Sequence, residues 1–91
     1  MYLLIPYDIT DDKRRRQVEK VLSFYGRRVN YSVFEVEVGK VDYVELLHRL
    51  EKESDAKADH IRIYHLDRTS LSKSFVLHSK AAIFEYETLY V

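Results

Sequence analysis

The order of apolar and polar positions divides the first 66 residues into alternating strands and helices. Residues 2–7 are apolar, uncharged and followed by polar residues, which predicts a short buried strand. Pro6 has no amide N–H and indicates one-sided pairing or a bulge near the end of that strand. An amphipathic helix follows, capped by residues 10–12 and ended by Gly26 in a left-handed conformation. Its apolar stripe is formed by Val18, Val21, Leu22 and Tyr25.

The middle of the chain continues the alternation. Residues 27–38 are rich in β-branched and aromatic residues and predict a single long strand, because no Asn-Gly or Asp-Gly turn interrupts them. A chain reversal at residues 30–32 is the alternative. In residues 60–66 the side chains again alternate between the two faces expected of a strand, so these residues predict a strand. With helices on one face of an antiparallel sheet, this order predicts an α+β, ferredoxin-like βαββαβ domain over residues 1–66.

The second helix is predicted from its start signals. Asp42 and Glu45 have capping-box spacing, and Val41 and Leu46 have the spacing of a hydrophobic staple. The apolar stripe then continues to about Glu53.

The tail, residues 67–91, lacks a helical period. We expect a polar turn over residues 67–72 and strands over residues 74–77 and 83–91. Extra strands beyond a complete sheet need an edge to pair with, and a two-fold partner would supply one. The tail is therefore predicted to pair with a second subunit in a homodimer.

Composition narrows the class of protein. The chain has no cysteine, which excludes disulfides and thiolate metal sites, and it has neither a basic secretory leader nor an apolar run of membrane-spanning length. We therefore expect a cytoplasmic protein. The net charge is zero, but residues 13–28 hold seven Lys or Arg against one Glu. A basic face of this kind can bind a polyanion, although an ordinary solvated helix surface is the plain alternative.

The candidate chemistry lies where the first strand meets the first helix. Asp8 stands at the carboxyl end of the strand, too early to cap the helix. The helical period places Arg14 and Arg15 near the apolar stripe and close to Asp8, and it turns Lys13 and Arg16 away. One interpretation is that the arginines neutralise nearby aspartates. The other is a carboxylate for a metal ion with guanidinium groups for phosphate.

One carboxylate alone is a poor site for a hard cation. A dimer axis near the strand ends would bring two copies of Asp8 together, and water and substrate phosphate would complete the shell of Mg²⁺. Such a site would serve phosphodiester cleavage. The four histidines are not at paired metal-ligand spacing, and the two glycines form no phosphate loop.

Four segments of the chain form a distinctive combination: Tyr7-Asp8-Ile9 with Asp11 and Asp12, the basic run 13–16, YGRRVNYSVFE at 25–35 and IRIY at 61–64. Together they resemble a known family, the small CRISPR-associated adaptation protein of type two. The resemblance runs from Met1 to about Leu66. Two positions depart from the pattern: Gln17 stands where a basic residue is usual, and Asn30 replaces a usual Gln.

The resemblance implies a ferredoxin-like fold, a reversal within residues 28–38 and a homodimer in which the tail pairs with the partner. It implies a place beside the CRISPR integrase subunit, holding duplex DNA during spacer acquisition. It also implies a nuclease on RNA or double-stranded DNA, with Asp8 as catalytic residue and ligand of Mg²⁺ or Mn²⁺. The further residues expected to act on nucleic acid are Arg14, Arg15, Arg16 and Arg28, and those expected to support the site or the interface are Tyr7, Ser32 and Phe34.

Three functions follow as hypotheses. The protein is a metal-dependent endonuclease, a non-catalytic adaptor that presents a duplex to an integrase, or an interaction domain whose charges are only solvated. The third leaves the cluster around Asp8 unexplained, and the sequence does not separate the first two.

Overall fold

The first strand is the centre of an antiparallel sheet in a computed structural model that describes residues 1–84. The five strands run in the order β2-β3-β1-β4, and β5 also pairs with β1. In chain order the elements are β1 (Tyr2–Asp8), α1 (Asp12–Tyr25), β2 (Gly26–Asn30), β3 (Val33–Glu37), α2 (Lys40–Glu53), β4 (His60–Ile61), β5 (Tyr64–Leu66) and α3 (Arg68–Lys73).

Alternation along β1 decides which face of the sheet the helices cover. Leu3, Ile5 and Tyr7 are buried in the core, whereas Asp8 is exposed at the strand end. Each helix contributes an apolar stripe to the same core. The stripe of α1 is Val18, Val21 and Leu22, and the stripe of α2 is Leu46 and Leu50. The predicted α+β arrangement, with helices on one face of an antiparallel sheet, is confirmed.

Pro6 produces the one-sided pairing that its missing N–H predicts. On the β3 side the ladder continues through Pro6, which lies opposite Val33. On the other side β4 pairs only with Tyr7 and Asp8, β5 pairs with residues 2–4, and the backbone N–H of Arg62 donates to the Pro6 carbonyl at 2.9 Å. The predicted strand 60–66 is thus two short strands, because the break lies where β1 has no donor to offer.

The prediction of one long strand over residues 27–38 is wrong. The chain reverses at Tyr31 and Ser32, and β2 and β3 form an antiparallel hairpin with an irregularity between Arg28 and Asn30. This is the reversal that the family resemblance implies. The turn lacks the usual glycine signal, and the Asn30 side chain stabilises it by accepting a hydrogen bond from the Tyr31 N–H at 2.8 Å.

Helix α1 starts as predicted and ends differently. Asp11 caps it by accepting from the Arg14 backbone N–H at 2.9 Å, and Asp12 lies in the first turn. Gly26 is not left-handed; its φ of −156° is extended, and β2 begins at this residue. The glycine is needed for close approach instead, because a Cβ there would lie 2.2 Å from the Glu35 carbonyl oxygen.

The N-cap of helix α2 lies three residues before the predicted one, Asp42. Gly39 is the N-cap and makes no side-chain bond, so Asp42 lies in the first turn rather than in a capping box. Val41 is 83% exposed, and the predicted staple with Leu46 is therefore absent. The helix ends at Glu53, where it was expected to end.

The tail differs most from expectation. The predicted polar turn is a short helix, α3, capped by Asp67, and residues 74–77 form no strand. Phe84, the last described residue, lies against the sheet, where its N–H donates to Glu35 Oε1 at 2.8 Å. The predicted strand 83–91 lies almost entirely outside the described residues. Within residues 1–84, no helix is long and apolar enough to cross a membrane.

The contact at Gly26 yields a stability prediction. Gly26→Ala should lower the free energy of unfolding by about 1–3 kcal/mol, because β3 must shift to admit the methyl group. Urea denaturation measures the change. Gly39→Ser is the matched control, since a Cβ at Gly39 meets nothing within 4 Å and serine is a better N-cap. Equal losses at both positions would show that the close approach does not matter.

Candidate metal and nucleic-acid site

Asp8 ends the central strand as an exposed carboxylate. It pairs in register with His60 of β4, so the two side chains leave the same face of the sheet. Among residues 1–84 the Asp8 carboxylate makes no hydrogen bond and no ion pair. It is therefore available to a ligand from solution.

Arg14 is bound to a buried aspartate next to this position. Its Nε and Nη2 donate to Asp59 at 2.8 and 3.1 Å, and the Asp59 side chain is only 1% exposed. The Asp59 carboxylate also accepts from the Asp55 N–H at 2.8 Å. The hydrogen bonds from Arg14 lower the pKa of Asp59. Since Asp59 precedes His60, this pair fixes the short strand that faces Asp8.

Arg15 lies on the other side of the strand end. Its Nη1 donates to the Ile9 carbonyl at 3.2 Å, and its Nη2 binds Asp12 at 2.6 Å. The predicted helix phase is confirmed, since Arg14 and Arg15 are partly buried against the sheet end and Arg16 is exposed. Both inward arginines bind aspartates, as the plainer of the two interpretations expected. Contact with phosphate stays a prediction for all three.

A second cluster joins α1 to the β2–β3 hairpin on the buried side of the strand end. Glu19 accepts a hydrogen bond from the Tyr7 hydroxyl at 2.6 Å and forms an ion pair with Arg28 at 3.1 Å. The Arg28 guanidinium lies 5.3 Å from the centre of the Phe34 ring. Burial and, next, the bond to Glu19 raise the pKa of Tyr7 well above its usual value, so its hydroxyl stays protonated. Ser32 fixes the hairpin to β1, because its carbonyl accepts from the Tyr7 N–H at 3.0 Å.

Sequence reasoning missed two of the residues that organise the site. Asp59 stands in a polar connection and Glu19 in a basic helix, and nothing local distinguishes either from a solvated carboxylate. The one signal for Glu19 was its place as the single acid among seven bases in residues 13–28. Their roles arise from contacts with residues 45 and 12 positions away.

The donor set of one chain fits a divalent cation only in part. Asp8 offers hard carboxylate oxygens, which suit Mg²⁺. Within residues 1–84, however, no group of three or more Asp, Glu, His or Cys side chains converges as a metal site would require. A metal at Asp8 needs ligands from elsewhere, namely water, substrate phosphate or a second subunit.

These features define a small ferredoxin-like domain whose central strand ends in an open carboxylate flanked by anchored arginines. Residues 1–74 match the family described as CRISPR associated protein Cas2. The chain therefore belongs to the Cas2 family.

Individual relatives agree with this assignment. The chain is 42% identical over 76 residues to CRISPR-associated endoribonuclease Cas2 3 of Chloroflexus aurantiacus, covering 84% of this chain and 82% of the relative. It superposes on the crystal structure of Streptococcus pyogenes Cas2 with a TM-score of 0.74 and 36% identity, over 85% of this chain and 99% of that one. A chain in a solved partial Cas6-RT-Cas1–Cas2 complex gives a TM-score of 0.67 and 32% identity, over 84% and 89% respectively.

The Arg14–Asp59 pair makes stability depend on acid. The pKa of Asp59 is lowered in the fold, so its contribution is complete above the unfolded value of about 3.9 and is lost as pH falls through the folded value. Asp59→Asn should therefore be less stable than wild type at pH 7, and this difference in stability should narrow as pH falls below the unfolded value of about 3.9. Thermal unfolding across pH measures this. The control is Asp8→Asn, which removes no bond of the fold and should unfold like wild type. A stability difference between wild type and Asp59→Asn that does not change with pH would contradict this role of the Arg14–Asp59 pair.

Proposed function

We propose that this protein is a metal-dependent endonuclease that acts on phosphodiester bonds of RNA or double-stranded DNA and takes part in spacer acquisition. The observation that carries the proposal is the Asp8 carboxylate, exposed at the end of the central strand and bound to nothing among residues 1–84. Every other acidic group named at this end of the sheet, Asp12, Glu19 and Asp59, is held by an arginine.

The proposed catalytic unit is a homodimer. Two copies of Asp8 at a shared axis would hold one Mg²⁺, or Mn²⁺ in its place, with water and phosphate oxygens filling the remaining positions. When bound, the cation supplies a water of lowered pKa and neutralises charge on the phosphate. The chain's own part is to fix the backbone at Asp8, so that the carboxylate stands at the strand end. The β1–β4 register and the Arg14–Asp59 pair next to it support that role.

The proposed nucleic-acid contacts are the basic residues around this carboxylate. Arg16 is exposed on α1, and Arg15 and Arg28 expose 30% and 43% of their side chains. Arg14 directs its Nε and Nη2 to Asp59, so its contribution to phosphate binding comes from charge at a distance. Tyr7 and Phe34 are buried and support Arg28, while the Ser32 backbone supports the hairpin beside it.

A second candidate is a non-catalytic adaptor that presents a duplex to the CRISPR integrase subunit. A related chain is part of the solved partial Cas6-RT-Cas1–Cas2 complex, which favours a role within an assembly, whereas relatives named endoribonuclease favour cleavage. One carboxylate per chain suits the adaptor equally well. In either role we propose that residues 67–91 pair with the partner subunit beside the core of residues 1–66, and that the protein works in the cytoplasm.

Asp8→Asn separates these candidates. For the nuclease we expect metal-dependent cutting of labelled duplex DNA or single-stranded RNA to fall at least about 100-fold while binding persists, because the substitution removes a metal ligand and no structural bond. Cleavage is measured with Mg²⁺, Mn²⁺ and EDTA, beside affinity by fluorescence anisotropy. The RNA and DNA arms identify the substrate.

The same assay contains its own control for contamination. Cutting that survives both Asp8→Asn and EDTA does not belong to this site, and the adaptor would then replace the nuclease. Loss of both cutting and binding in Asp8→Asn, with an unchanged melting temperature, would assign Asp8 to substrate binding.

The basic face of α1 is tested by salt dependence. Replacing Arg15 and Arg16 with Gln should reduce the slope of log affinity against log salt by about two, since each phosphate contact contributes about 0.9 for duplex DNA. The control is Arg49→Gln, an exposed arginine on α2 that lies over the Phe24 ring at 5.3 Å. An unchanged slope in the α1 variant, or an equal change in the control, would show that this face does not touch the nucleic acid.

A further inference from the structure

Tyr31 is an aromatic side chain presented to solvent at the tip of the β2–β3 hairpin. Its exposed fraction is 82%, the highest among the aromatic residues of the described chain. Phe24, which is 72% exposed, is partly covered, because the Arg49 guanidinium lies 5.3 Å from its ring and the Tyr25 ring lies 5.0 Å away. Phe75 is 74% exposed and lies after α3, away from the hairpin tip in the sequence. Among residues 1–84, no ring and no cation stacks on Tyr31.

The backbone that carries this ring is held on both sides. The Tyr31 N–H donates to Asn30 Oδ1 at 2.8 Å, and the Tyr31 carbonyl accepts from Arg28 Nη1. The next carbonyl, that of Ser32, accepts from the Tyr7 N–H at 3.0 Å. The side chain is therefore free while its attachment is fixed, so a ligand that stacks on the ring need not order the hairpin first.

Two arginine guanidinium groups, each paired with a carboxylate, lie at this end of the molecule. Arg28 bridges the hairpin tip to Glu19, and Arg15 reaches the Ile9 carbonyl one residue beyond Asp8. The pKa of Arg15 is raised, chiefly by its bond to Asp12 and to a smaller extent by the charges of Glu19 and Tyr31. The arginine that contacts the hairpin tip directly is Arg28, which donates to the Tyr31 carbonyl. An open ring beside arginines is the combination that binds a base and its phosphate together.

We propose that Tyr31 is a base-stacking residue that receives an exposed nucleobase face, with the attached phosphates held near Arg28 and Arg15. The inference rests on the proposed function, because it takes the ligand to be nucleic acid. Bases inside a duplex have both faces covered, so the partner is a single strand or the terminal base pair of a duplex. Either would be seated at the hairpin tip next to Tyr7, whose neighbour Asp8 carries the proposed chemistry.

The test uses oligonucleotides that contain 2-aminopurine, whose fluorescence falls when it stacks. The probe is placed in a single-stranded RNA, at the end of a blunt DNA duplex, and in the middle of a duplex closed at both ends by hexaethylene-glycol linkers. Wild type is compared with Tyr31→Phe, Tyr31→Leu and Phe24→Leu. Phe24→Leu is the matched control, because it removes another highly exposed ring, 72% against 82%, that the Arg49 guanidinium already covers.

We expect Tyr31→Leu to abolish the quenching and to weaken binding of an open-faced probe about tenfold, the usual size of one stacked base. Tyr31→Phe should behave like wild type, since the ring and not the hydroxyl stacks. Binding of the closed duplex should be unchanged in every variant. If Tyr31→Leu loses quenching and affinity only with the single strand, Tyr31 recognises a single-stranded base; if only with the blunt duplex, it recognises a terminal base pair.

Two results would overturn the inference. In the first, Tyr31→Leu binds the open-faced probes as wild type does; if it also changes the subunit assembly measured by analytical ultracentrifugation, Tyr31 is a protein contact. In the second, Phe24→Leu loses as much quenching and affinity as Tyr31→Leu. Wild type that binds none of the three probes would instead overturn the proposed function, and this inference with it. A Tyr31→Leu melting temperature equal to that of wild type confirms that the variant is folded.

Discussion

Two-sided pairing of β1 is the constraint on which the structure depends. Of the other four strands, β3, β4 and β5 hydrogen-bond to it, and only β2 does not. Its inward side chains, Leu3, Ile5 and Tyr7, are 0–5% exposed and fix the register, because a slip of one residue would turn them all to the other face. The same register delivers Asp8 to the end of the sheet, opposite His60. The position of the candidate site is thus a consequence of core packing.

The charges around that site are largely used in holding the fold. Arg14 is bound to Asp59, Arg15 to Asp12, and Arg28 to Glu19. These pairs reduce the positive potential of a helix that looks strongly basic in the sequence, and they also fix the guanidinium groups in place. A nucleic acid would therefore meet arginines that are already ordered, which lowers the entropy cost of binding while each contact gains less from charge alone.

Much of the fold could be predicted from local pattern. The burial of β1, the apolar stripe of α1 and the pairing defect at Pro6 follow from residue type and spacing. The errors have two causes. Gly26 ends α1 as predicted, but it is extended, and glycine is required there because β3 approaches too closely for a Cβ, a contact that no window of neighbouring residues contains. The reversal at Tyr31 is held by the adjacent Asn30 side chain, a local bond that the Asn-Gly and Asp-Gly hairpin signals do not include.

The sequence by itself determined the class of fold, the place of Asp8 at a strand end, and the phase that turns Arg14 and Arg15 inward, because all three depend on periods of two and 3.6 residues. Only the tertiary structure decided which charges are paired. Asp59 lies 45 positions from Arg14, and Glu19 is 12 from Tyr7. An ion pair between distant segments depends on how the elements pack, and no periodicity within one element encodes that distance.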